Sequence, residues 1–159
     1  MKNKPHIKKS TRTEYSAGGI VFRKLKRGIE IAFLLDPFDK WTFAKGHIDP
    51  GETSALAAMR EVREELGIEK VAIIAPLGKV DWRFREQRGN AHSQRGVLVH
   101  KFVDYYLMQV PYQTQLHPQK SEMLKDARWV PLEQAFEFSD YKDIEPVLKK
   151  AIDILRRVC

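Results

Sequence analysis

Residues 46–68 read GHIDPGETSALAAMREVREELGI, and the rest of the chain is best understood outward from this stretch. Taken as a helix from about Thr53 to Leu66, it sorts into stripes. Glu61, Glu64 and Glu65 fall together, because positions i, i+3 and i+4 are neighbours on a helical surface. Ala55, Met59, Val62 and Leu66 form a second stripe suited to a core. Arg60 precedes Glu64 by about one turn. Three clustered carboxylates repel, at about a few tenths of a kcal/mol for each like-charged pair even in water. An exposed acidic face tolerates that cost, although an ordinary solvated helix would interleave Lys or Arg. A hard cation such as Mg²⁺, Mn²⁺ or Ca²⁺, which takes oxygen ligands, removes it.

The flanks of the helix favour the cation. Gly46, Pro50 and Gly51 permit a tight loop with close backbone approach. Thr53 or Ser54 is suited to cap the helix, Glu52 lies where the helix dipole favours an acid, and Gly67 is a good residue just past the end. A glycine loop feeding a capped, glutamate-rich helix suits a metal-bound ligand that carries phosphate.

The stretch also resembles the signature of the Nudix hydrolase superfamily, G-x5-E-x7-R-E-U-x-E-E-x-G-U with U a bulky aliphatic. Gly46, Glu52, Arg60, Glu61, Val62, Glu64, Glu65, Gly67 and Ile68 fill its fixed positions without a mismatch. SAGGIVFR (16–23) and WVPLEQA (129–135) resemble the family's first strand and closing segment. The resemblance implies an α/β fold, an α/β/α sandwich with a mixed sheet between helices. It implies Glu61, Glu64 and Glu65 as metal ligands with the Gly46 carbonyl, Arg60 orienting the carboxylates, and Glu52 in support or acting on a water. Glu64 or Glu65 is the implied general base. Glu122, in the loop before RWVP, is a further candidate acidic ligand. Mg²⁺ is the implied cofactor, with Mn²⁺ as a substitute.

WTFAKGHIDPGE (41–52) resembles the diadenosine polyphosphate hydrolases and their relatives that cleave nucleoside triphosphates and inositol pyrophosphates. Lys45 then stands next to a phosphate. VHKFVDYYLM (99–108) resembles the strand of that subgroup that brings a basic residue to the phosphates, which points to Lys101, assisted by His100 or Arg95. Two departures bear on pocket shape. Ala44 stands where proline is usual, and Phe102 and Asp104 stand where threonine and histidine are common. Trp82, Phe84, Tyr105 and Tyr106 are aromatic rings that could stack on a base. Strand alternation lets only one of Tyr105 and Tyr106 face the site, and the expected substrate contacts are Lys45, Lys101, Tyr106 and Trp82. Trp41 and Trp129 read as packing residues.

Composition sets the outer bounds. The 159 residues suit one domain, residues 14–159, behind a flexible basic tail at 1–13. No apolar run is long enough to span a membrane, and the basic N-terminal stretch lacks the apolar core of a secretory signal. The only cysteine is Cys159, so a disulfide framework is excluded and a cytoplasmic, reducing location is expected. A net charge of +7 suits anionic ligands, either polyphosphates or nucleic acid, with nucleic acid the less favoured. The oligomeric state is left open.

The remaining elements follow from periodicity. Residues 15–24 and 29–36 read as a hairpin, 71–80 and WRF as strands, 85–96 as an exposed polar loop, and 96–110 as a central strand. Residues 111–121 read as a second loop and 128–131 as a short strand. About 143–157 reads as an amphipathic helix with Ile144, Val147, Leu148, Ala151, Ile152 and Leu155 inward. The expected activity is Mg²⁺-dependent hydrolysis of a phosphoanhydride bond in a nucleotide polyphosphate. A dinucleoside polyphosphate comes first and a nucleoside triphosphate second. The alternatives are removal of pyrophosphate from RNA 5′ ends and a catalytically silent nucleotide-binding module. The loop reading AKGHID disfavours the first, and the complete set of box glutamates disfavours the second.

Overall fold

The computed structural model describes residues 11–86 and 96–158. Within them lie strands β1 (Thr11–Lys24), β2 (Ile29–Leu35), β3 (Trp41–Thr42), β4 (Ala44–His47), β5 (Ala72–Glu86), β6 (Val97–Gln109) and β7 (Asp126–Pro131). The helices are α1 (Ser54–Leu66), α2 (Leu132–Phe138) and α3 (Glu145–Val158). The strands form one mixed sheet with β1 as its spine. One edge of β1 runs parallel to β6, from Thr11 opposite Leu98 to Phe22 opposite Gln109. The other edge is shared. Ser16–Gly19 pair antiparallel with β4, and Phe22–Lys24 pair antiparallel with β2. Beyond them β2 pairs with β3 and β7, while β5 lies antiparallel to β6 at the far side.

Alternation along β1 and β6 divides the interior in two, as a sheet covered on both faces requires. Ile20, Phe22, Val103, Tyr105 and Leu107 pack with Ala135, Leu148, Ala151 and Leu155 on the side of α2 and α3. Ala17, Val21 and Met108 pack with Ala57, Ala58, Val62 and Leu66 of α1 on the other. The α/β/α sandwich implied by the sequence is therefore present. Every residue expected on the inner face of the last helix is buried.

Four local expectations are corrected. Thr11–Thr13, assigned to the tail, belong to β1 and pair with Leu98–His100. The two strand candidates in 71–84 are one strand, bent by register shifts between Ile73 and Ala75 and between Pro76 and Gly78. Arg85 and Glu86, expected in a loop, are the end of that strand. Lys45 and Gly46, expected at the start of a loop, lie in β4, so the loop begins at Ile48. The expected tail from residue 1 to 10, the expected loop from 87 to 95 and the candidate Arg95 lie outside the described residues.

Candidate active site

Helix α1 is bounded by its own local chemistry. The Thr53 hydroxyl accepts a hydrogen bond from the Leu56 N–H at 3.2 Å, and Gly67 closes the helix at φ 64 with its N–H bonded to the Arg63 carbonyl. Val62 and Leu66 are buried as expected, whereas Ala55 and Met59 are half-buried, and Ala57 and Ala58 fill the core instead. The acidic stripe is split. Glu61 and Glu65 are each only 7% exposed, and Glu64 stands in solvent.

Glu122 joins the buried pair. Oxygens of Glu61, Glu65 and Glu122 lie within 4.8 Å of one another. A single turn of tight helix, Lys120–Glu122, carries Glu122. The preceding loop is tied to the end of α1 by His117 N–H to Leu66 O (2.8 Å) and Gln119 N–H to Glu65 O (3.0 Å). On the opposite side β4 presses against the cluster. The Lys45 N–H donates to Glu65 Oε2 at 3.1 Å. A Cβ at Gly46 would lie 2.2 Å from the Glu61 carboxyl carbon, so only glycine lets β4 and the carboxylate approach this closely.

Burial raises the pKa of Glu61. Burial, followed by a hydrogen bond to Glu122, pushes Glu65 up to about 8. At neutral pH the metal-free cluster therefore holds a shared proton. A donor set of carboxylate oxygens, two of them buried, beside the backbone of Gly46 matches the preference of a hard divalent cation, which would take the proton's place. No nitrogen or sulfur ligand stands among them.

Arg60 organises the rim. Its guanidinium donates to both oxygens of Glu52 (2.8 and 2.9 Å), to Glu61 (2.7 Å) and to the His47 carbonyl (2.9 Å), and reaches Glu64 at 3.5 Å. Its own pKa rises through the bond to Glu52. Glu52 is held below the usual carboxylate range by Arg60 and by the Asp49 N–H. Asp49 lies at 3.5 Å as well, so the orienting role implied for Arg60 has the required contacts, made with one side chain that spans five partners.

On the α3 side of the sheet, Lys45 and Lys101 flank one indole. Their ammonium groups lie 5.9 and 5.7 Å from the Trp82 ring centroid. Burial lowers the pKa of both lysines, and Lys101 lowers that of Lys45 further. The charge of Glu65 and Asp36 opposes this at Lys45, and that of Glu14, Glu65 and Glu61 opposes it at Lys101. Thr42, Lys45, Trp82, Tyr141, Asp143 and Ile144 line a cleft of about 170 Å³. Tyr141 is fixed there by donating its hydroxyl proton to Asp36, whose other oxygen caps the turn at Phe38 and Lys40.

The remaining candidates divide by face. Tyr105 lies on the side of Lys101 and Trp82 but is 1% exposed and is part of the core. Tyr106, expected to touch substrate, lies on the α1 side and bonds Ser54 at the start of α1, so it supports the helix. His100 also points to the α1 side, where its Nε2 is 2.6 Å from Asp81, and does not assist at the cleft. Phe84 shares the face of Trp82, two residues farther out along β5. Trp41 packs on Phe138, and Trp129 lies beneath Arg23, both as expected of packing residues. Tyr141 was missed because nothing in FSDYKD marks its tyrosine as part of a site 100 residues upstream. Tyr105 could have been placed: Val99, Val103 and Leu107 already mark its face as the apolar one.

Comparison with known proteins identifies the family. A protein from Mycobacterium tuberculosis described as a putative mutator protein MutT4 is 33% identical over 153 residues, 90% of this chain and 57% of its own length. The asymmetrical bis(5′-nucleosyl)-tetraphosphatase of Caenorhabditis elegans is 32% identical over 139 residues, 85% of this chain and 91% of that protein. A crystal structure of a C. elegans Ap4A hydrolase binary complex superposes with a TM-score of 0.69 at 28% identity, covering 91% of this chain and 98% of that one. The family model for the NUDIX domain matches residues 16–151, which take in the box, both lysines and the cleft, and the chain belongs to that family.

Proposed function

We propose that this chain hydrolyses a phosphoanhydride bond of a dinucleoside polyphosphate of the diadenosine tetraphosphate type, with nucleoside triphosphates as a second substrate class. The observation that carries the reading is the juxtaposition of an acidic cluster with two half-buried lysines that share one indole. Lysines whose charge is costly to bury gain most from a dense anion, and a chain of phosphates supplies one. The cleft beside Trp82 and Tyr141 suits a flat base. The similarity to the C. elegans tetraphosphatase supports the same substrate class.

Glu61, Glu65 and Glu122, with the Gly46 carbonyl, are the residues that would hold Mg²⁺ or, in its place, Mn²⁺. The bound ion would supply neutralisation of phosphate charge and activation of water. Arg60 keeps Glu61 and Glu52 oriented. Lys45 and Lys101 bind the phosphates and balance charge that builds up as the bond breaks. Glu65 or Glu64 takes the proton of the attacking water, and Glu64, at the solvent rim, can pass it to bulk.

A phosphate-release screen tests the substrate across dinucleoside polyphosphates, nucleoside triphosphates, nucleotide sugars and triphosphorylated RNA. Diadenosine tetraphosphate should give the highest kcat/KM in Mg²⁺. A clear preference for a nucleotide sugar or for RNA ends would overturn the assignment.

A further inference from the structure

Beyond the two cores, β1, β6 and β5 continue as a three-stranded extension on whose α1 side no helix or strand of the described residues packs. Cross-strand register places its residues in rows: Thr11, Leu98 and Arg85; then Thr13, His100 and Arg83; then Tyr15, Phe102 and Asp81. On the opposite side Val99 and, farther in, Val80 and Val103 are buried, whereas the α1 side of these rows carries only half-buried and exposed side chains among the described residues. Yet the α1 side carries rings. Tyr15, 56% exposed, stacks beside Phe102 with centroids 5.6 Å apart and planes at 14°, and His100 continues the row 4.2 Å from Phe102.

The charges on this face are unbalanced. Asp81 is taken up by His100, and Asp104 lies 3.7 Å from Lys79. Arg83 and Arg85 are exposed and have no ion pair among the described residues. The segments that lead into β1 and join β5 to β6, residues 1–10 and 87–95, contain four lysines and two arginines and no acid.

We infer that the α1 side of this extension is a docking surface for single-stranded RNA, with Tyr15, Phe102 and His100 as a stacking platform and Arg83 and Arg85 as phosphate contacts. Stacking on exposed rings of a sheet and pairing of guanidiniums with phosphates are the two interactions by which proteins hold single strands. The exposed Thr11 and Thr13 hydroxyls, beside the rings, offer partners for a ribose 2′-OH, which favours RNA over DNA. A second copy of this chain is the poorer occupant, because a two-fold contact would set like-charged guanidiniums together. The inference is independent of the proposed substrate, since the cleft opens on the opposite side of β6.

The test is binding of a labelled single-stranded RNA of about 12 nucleotides, within the usual site size, measured by fluorescence anisotropy over a salt series. Salt-sensitive binding is expected. Tyr15→Ala should weaken it about tenfold, and so should Phe102→Leu, which keeps apolar volume but removes the ring. The pair Arg83→Glu with Arg85→Glu should make the slope of log K against log salt shallower by about 1.4, for two lost phosphate contacts. Each variant should keep its thermal midpoint and its hydrolysis of diadenosine tetraphosphate. If Phe102→Leu alters the fold, the exposed Tyr15→Ala decides. Absent RNA binding, binding unchanged in every variant, tighter binding of DNA of the same sequence, or a dimer that the double arginine variant dissolves would each overturn the inference.

Discussion

The two faces of β6 differ in what they carry, and the contrast separates where this strand fits the polyphosphate-hydrolase pattern from where it departs from it. Lys101 and Tyr105 look toward the cleft and the α3 core, whereas His100, Phe102, Asp104 and Tyr106 look toward α1 and the open end of the sheet. Lys101 is the residue that fits the polyphosphate-hydrolase pattern. The departures from that pattern at Phe102 and Asp104 fall on the other face. In the sequence they put the shape of the pocket in question; in the structure they leave the cleft untouched, Phe102 standing half-buried between Tyr15 and His100 and Asp104 pairing with Lys79. A mismatch in a strand motif therefore has to be weighed by side as well as by position.

Three measurements sharpen or break this contrast, two on activity and metal binding in order of expected effect, then one on stability. Lys101→Ala should lower kcat/KM for diadenosine tetraphosphate by about a hundredfold, the worth of roughly one charge-assisted phosphate contact in a partly buried site. Phe102→Leu, one residue along and on the other face, should stay within about twofold. Equal losses in both would erase the distinction between the faces. Next, Gly46→Ala puts a methyl group against the Glu61 carboxylate and should weaken Mg²⁺ binding about 10- to 100-fold by calorimetry, as displaced support of a ligand does. Unchanged affinity would mean that Glu61 is not held against β4 when the ion binds.

The third measurement reads stability, through its pH dependence without metal. Glu65 is held near 8 in the fold and titrates near 4.5 when exposed, so the folded state binds the extra proton between these values. Its stabilising share is fully present below about 4.5 and is lost as pH rises toward 8, at up to about 1.4 kcal/mol per pH unit. In EDTA, denaturant melts of the native chain should show stability falling over this window relative to Glu65→Gln, and added Mg²⁺ should remove the difference. Parallel pH profiles of the two proteins would contradict the burial of an uncompensated proton site.

Much of the fold could be read from sequence where local signals are strong. Thr53 and Gly67 bound α1 because caps act through neighbouring backbone groups, and the strand pair 15–24 and 29–36 is marked by an apolar pattern on each side of Lys26-Arg27-Gly28. Strand β4 could not be read. Ala44, Lys45 and Gly46 are weak strand formers, and only pairing with Ser16–Gly19 holds them extended. The seven residues of α2 are too few to establish a period. Within the site, the helical period grouped Glu61, Glu64 and Glu65 as equals. What separates them is the tertiary cover of β4 and the Glu122 loop, which reaches Glu61 and Glu65 and leaves Glu64 in solvent. Tyr141 came to the cleft through Asp36, a contact across 105 residues that no local pattern records.

The central claim is that a carboxylate cluster on α1 drives hydrolysis of a polyphosphate held by the cleft lysines. The most direct measurement is the steady-state rate on diadenosine tetraphosphate in Mg²⁺ for Glu65→Gln, with Glu64→Gln beside it and circular dichroism of each. Glutamine keeps the shape and an acceptor for the Lys45 N–H, so the fold should be retained. Turnover of Glu65→Gln should fall about a thousandfold, roughly 4 kcal/mol of barrier. Turnover within a few-fold of the native chain in both folded variants would contradict the account.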